Sequence, residues 1–154
     1  MIVYRLANRK YSDDLSGIGA EITGGRWNFK GTRVLYTAHS RALCMAEIAV
    51  HTPLGLMPKD YYLITIEIPD GVKQLQIKVG SLPDDWRRFP YLKATQELGE
   101  DFIRTNEYLF IEVPSAVVQG EYNVLINPMH KDFDKVKIVR KERFDFDERL
   151  FKVF

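Results

Sequence analysis

Runs of alternating or β-branched residues outnumber helix-like runs in this sequence and do not take turns with them, which argues against a parallel sheet built from βαβ units. The pattern predicts an α+β fold with a mainly antiparallel sheet and a few helices. Strands are expected at 2–6, 34–38 (VLYTA), 61–68 (YYLITIEI), 72–77, 109–113, 116–118, 124–126 and 136–144. Pro69-Asp70-Gly71 supplies a turn between the third and fourth of these, so they are expected to pair as a hairpin. One helix is expected at 40–51, with Ser40 as N-cap and an end set by Pro53. A second is expected at 91–104, where Leu92, Thr95, Leu98, Phe102 and Ile103 keep helical spacing despite Gly99. The polar stretch holding Gly17, Gly19, Gly24 and Gly25 implies unusual backbone angles or close approach to a ligand.

No repeat, low-complexity segment or linker interrupts the chain, and 154 residues with 45% hydrophobic content suffice for one compact domain. No apolar run approaches the roughly 20 residues that cross a bilayer, and the start (MIVYRLANRK) has no apolar core followed by a cleavage site. These features predict a cytoplasmic protein without membrane attachment. The single cysteine, Cys44, lies in apolar sequence, as a core residue in a reducing compartment would. Lys and Arg number 22 against 21 Asp and Glu, a charge of +1 that gives no general pull on phosphate polymers, so direct nucleic-acid binding is not expected. The basic stretch 135–143 (KVKIVRKER) alternates as a strand with one wet face would. Phe144, Phe146, Phe151 and Phe154 either close the core or offer a surface to a protein partner.

The helix at 40–51 (SRALCMAEIAVH) is apolar nearly all the way round, which implies burial on most sides and isolates one carboxylate, Glu47. A charge so placed needs a partner or a raised pKa. Glu47 is therefore either a reactive acid or an edge residue bonded to an arginine or to His51, one turn on. In Gly24-Gly25-Arg26-Trp27-Asn28, Arg26 suits bidentate contact with phosphate or carboxylate, and the glycines let backbone N–H groups approach an anion. A structural turn around a core Trp27 fits the same residues. Tyr36 offers a ring for stacking and a hydroxyl to donate, or it packs in the core. Ser115 interrupts LFIEVPSAVV without a GxSxG elbow, which leaves a turn serine or a hydroxyl aimed into a cleft. Neither GxGxxG opening a helix nor GxxxxGK[ST] occurs, and His39, His51 and His130 show no zinc spacing, so no metal site is expected.

Taken in order, GGRWN (24–28), VLYTA (34–38), AEIAVH (46–51), VPSAVV (113–118) and NVLINPMH (123–130) resemble the RES domain, named for its Arg, Glu and Ser. YRLANRKYS, SGIGAE, LPDDW and TQELGEDF follow the same pattern, so the likeness covers nearly the whole chain, 1–154. It implies a core like that of ADP-ribosyltransferase toxins and a role as the toxin of a toxin–antitoxin pair, with an Xre-like antitoxin as partner and room for a homodimer within that complex. It also implies that NAD is consumed as a substrate. Arg26, Tyr36, Glu47 and Ser115 would then be the catalytic set. In this reading Glu47 holds the ribose and stabilises developing positive charge, Arg26 binds pyrophosphate or a ribose oxygen, Tyr36 or Trp27 stacks on nicotinamide, Asn28 helps bind substrate and Ser115 orients ribose or amide. The acceptor of the ADP-ribosyl group is left open between water, phosphate and a protein. A non-catalytic protein-binding module is the alternative of another class.

Overall fold

A computed structural model describes residues 1–153. Seven strands among them form one mixed sheet in the order β4-β5-β6-β2-β1-β3-β7. The strands are β1 (Ile2–Asn8), β2 (Leu35–Ala38), β3 (Tyr61–Glu67), β4 (Gln74–Gln76), β5 (Phe110–Pro114), β6 (Tyr122–Ile126) and β7 (Lys137–Phe144). Every neighbouring pair is antiparallel except β4 with β5. Three helices complete the α+β fold: α1 (Ile18–Thr23), α2 (Arg41–His51) and α3 (Lys93–Thr105).

Alternation along the strands sends side chains to two faces. One face buries Val3, Leu35, Ile64, Ile66, Val124 and Ile126. The other carries both long helices over separate clusters. Trp27, Trp86, Ile111, Val113 and Leu125 meet Phe102 of α3, while Leu6, Ala38 and Leu63 meet Leu43 and Cys44 of α2. β1 and β2, both contacted by α2, share a single registered pair, Tyr4 with Ala38, so the sheet is loosely joined at its middle.

Ser40 caps α2 by accepting a hydrogen bond from the Leu43 N–H at 3.0 Å, as its sequence position predicts. The phenylalanines Phe144, Phe146 and Phe151 close the core beside Tyr61 through edge-to-face contacts with centroids 4.9 to 5.6 Å apart. Phe154 lies outside the described residues. The basic strand is the sheet edge β7, and three of its cations are partnered: Arg140 with Glu142, Lys141 with Asp13 and Arg143 with Asp145.

Three expectations need correction. The segments 61–68 and 72–77 do not form a hairpin: β3 lies between β1 and β7, whereas β4 crosses to the opposite edge and runs parallel to β5. The turn chemistry at 69–71 bends the chain, but burial of β3 on both faces selects longer-range partners. Residues 116–118 form a bend rather than a strand. The glycine-rich stretch has the unusual angles expected of it, with positive φ at Gly17 and Gly24, and between them holds a helix, α1, that the pattern does not predict. Finally, α2 is covered on one side only, with Ala42 and Val50 exposed, because Leu43 and Cys44 alone are buried on the sheet and no second layer lies above the helix among the described residues.

Candidate active site

Beside α2 lies a cleft of about 1280 Å³, above the 300–1,000 Å³ of typical small-ligand pockets and therefore roomy enough for a dinucleotide. Its floor is Tyr4 and Leu6 of β1, Tyr36 and Ala38 of β2 and Asn123 of β6. Glu47 of α2 stands on one side, and the loop Gly24–Trp27 on the other.

Glu47 is about one quarter exposed, less isolated than an all-round apolar helix implies. Two side chains fix it. Ser115 Oγ donates to Oε1 at 3.0 Å, and Asn123 Nδ2 donates to the same oxygen at 2.7 Å. Ser115 is itself locked just past β5, its hydroxyl oxygen accepting from the N–H groups of Val117 and Val118. The second oxygen, Oε2, takes no hydrogen bond among the described residues, and His51 Nε2 stands 3.9 Å from it. Hydrogen bonding to a carboxylate in this way offsets its desolvation while leaving an acceptor facing the cleft.

Across the cleft, Gly25 has no Cβ because one would lie 2.8 Å from Tyr36 Oη and 3.0 Å from Asn28 Oδ1. That close approach lets Tyr36 donate to Asn28 Oδ1 at 2.7 Å and accept from the Trp27 N–H at 3.2 Å. Burial pushes the Tyr36 phenol well above its ordinary range, so it stays a donor. Asn28 is fully buried and its amide donates to the carbonyls of Ala20, Phe29 and Thr32. Trp27 reaches the cleft wall while 97% of its surface is covered, its indole tilted against Trp86 at 6.0 Å. Both residues build the loop more than they face the cleft.

Arg26 reaches back to the 86–91 segment, with Nη1 donating to the carbonyls of Trp86 at 2.7 Å and Arg88 at 3.0 Å and the guanidinium over the Tyr91 ring at 5.0 Å. Desolvation lowers its pKa, but a guanidinium keeps its charge at any physiological pH. Its other guanidinium N–H groups bond no acceptor among the described residues, and Arg5 and Arg87 add two further cations to the lining.

The fold thus brings Arg26, Tyr36 and Glu47 to one cleft, with Ser115 joined to it through Glu47. Sequence reasoning missed Asn123, which opens the NVLINPMH motif and pairs in register with Ala38. It also missed Gln96, whose Nε2 donates to the carbonyls of Gly25 and Asn28 and ties the loop to α3. Only strand register could have pointed to Asn123, and register is not readable from one sequence.

Residues 2–147 match the RES domain. The chain is 38% identical over 143 residues to the Prs ADP-ribosylating toxin of Sphingobium sp. (strain YBL2), which covers 92% of this chain and 89% of that protein. It is 36% identical to Toxin Res of Photorhabdus laumondii, covering 99% and 98% of the two chains. In fold it matches a chain of the M. tuberculosis MbcT–MbcA toxin–antitoxin complex with a TM-score of 0.74 at 24% identity, covering 93% of this chain and 83% of that one. By its sequence over nearly its whole length, the chain belongs to the RES domain family.

Proposed function

We propose that this chain is the toxin of a toxin–antitoxin pair, acting in the cytoplasm as a single domain, and that it breaks the bond between nicotinamide and ribose in NAD. The observation that carries the reading is Glu47, with one oxygen pinned by Ser115 and Asn123 and the other left to the cleft. Cleavage of that bond develops positive charge on the ribose, and a fixed carboxylate stabilises such a transition state more than the ground state. Ser115 and Asn123 act through Glu47 by holding its geometry. Arg26 offers its free N–H groups to the pyrophosphate, helped by Arg5 and Arg87, and the Tyr36 ring forms a flat surface for the nicotinamide.

Water or phosphate is the simplest acceptor for the ADP-ribosyl group. A protein side chain is the second reading, favoured by the name of the Sphingobium relative, an ADP-ribosylating toxin. The M. tuberculosis complex supports an antitoxin partner; we assign it the Xre-like class and allow two toxin chains per complex. Purified protein incubated with NAD, with and without phosphate, should release nicotinamide, and labelled NAD in cell extract should mark a protein target if one exists. A wild-type protein that releases no nicotinamide and labels nothing would instead be a binding module, and the proposal would fall.

A further inference from the structure

Resting on the NAD reading, we infer that His51 is the general base that removes the proton of the acceptor as the ADP-ribosyl group is transferred. His51 is the last residue of α2, one turn beyond Glu47, and its side chain is 57% exposed while lining the cleft. Its Nε2 stands 3.9 Å from Glu47 Oε2, the oxygen that neither Ser115 nor Asn123 holds. The base thus sits beside the point where the ribose must lie and open to the solvent side from which an acceptor arrives.

The other titratable groups of the cleft are poorly suited to the task. Arg5, Arg26 and Arg87 are cations with no lone pair to offer. Tyr36 already donates to Asn28, and burial holds its proton tightly. The Cys44 thiol is turned toward the Tyr4 carbonyl, and burial together with the charge of Glu47 pushes it up to about 12. Tyr4 and Tyr91 offer phenol oxygens, weaker proton acceptors than an imidazole nitrogen. Glu47 is engaged at the ribose. His51 remains.

The step balances as follows. The bond between nicotinamide and ribose breaks and its electron pair leaves with the ring, which becomes neutral nicotinamide. The acceptor oxygen or nitrogen bonds to the ribose carbon, and its proton passes to His51. The resulting imidazolium is stabilised by Glu47 Oε2 on one side and by the carbonyl end of α2 on the other.

His51→Ala removes an exposed side chain, so the fold should persist, which circular dichroism checks. With water as acceptor, nicotinamide release should fall roughly 100-fold, within the range general bases supply. Added imidazole should restore part of the rate. Azide, a nucleophile with no proton to lose, should react in the variant at close to the wild-type rate. Equal rates for wild type and His51→Ala with water overturn the inference, as does a defect that neither imidazole nor azide relieves. An inactive wild type overturns the NAD reading and this inference with it; an active wild type indifferent to His51 overturns this inference alone.

Discussion

The two sides of the cleft are held in different ways. On the α2 side, hydrogen bonds end on a single carboxylate: Ser115 and Asn123 both point at one oxygen of Glu47. On the loop side they end on backbone, with Tyr36, Asn28 and Gln96 tying down carbonyls and N–H groups of residues 20–32 while Arg26 clasps the carbonyls of Trp86 and Arg88. One side fixes a carboxylate oxygen, and the other shapes a wall. Substitutions should therefore separate, with chemistry lost on the first side and stability on the second.

Glu47→Gln is the strongest test of that division. The glutamine oxygen can still accept from Ser115 and Asn123, so the fold should keep its melting temperature, but an amide N–H then replaces the acceptor facing the cleft. Nicotinamide release should drop about 1,000-fold, roughly 4 kcal/mol of barrier. A variant that melts far below wild type would show that Glu47 is held for stability, and the contrast between the two sides would collapse.

Gly99→Ala tests the loop side. The missing Cβ is where the Trp27 carbonyl lies, so a methyl group there must push α3 off the loop that carries Arg26. Overpacking against backbone should destabilise by about 3 kcal/mol and lower the melting temperature by roughly 6–12 °C. Thermal unfolding unchanged from wild type would mean that α3 is not what fixes this wall.

The same contrast explains what was legible in the sequence. The Ser40 cap, the end of α2 and the placing of Glu47 follow from local rules, and the structure has them all. Tyr36, Arg26 and Ser115 were readable as candidates but equally as packing residues, and geometry gives Tyr36 and Arg26 both characters at once. What stayed hidden depends on partners distant along the chain. The destination of β4 is set by the free edge of β5, not by the turn that precedes it, and Asn123 matters only because β6 is registered against β2. The helix α1 was obscured by Gly19 inside it and by glycines at both ends, each a breaker by local propensity.

Tyr36→Phe keeps the ring in the cleft and removes one hydroxyl from the loop side. Asn28 Oδ1 and the Trp27 N–H both lose a partner in a largely dry setting, which should lower stability by about 1–3 kcal/mol in denaturant unfolding. Nicotinamide release per folded molecule should fall far less than with Glu47→Gln. A loss of activity equal to that of Glu47→Gln, at unchanged stability, would make the hydroxyl a participant in the chemistry.

Ser40→Ala should have the smallest effect. Ser40 starts the helix that carries Glu47, and loss of an N-cap hydrogen bond typically lowers stability by about 1 kcal/mol. If the carboxylate took its position from the helix alone, fraying of the first turn would shift it and activity would fall in proportion. Glu47 lies beyond that first turn, however, and is tied to residues just past β5 and at the start of β6, so its oxygen is referenced to the sheet. Activity per folded molecule should therefore match wild type while the melting temperature drops by roughly 2–4 °C. An activity loss larger than the unfolded fraction accounts for would show that α2, rather than the sheet, sets the acid.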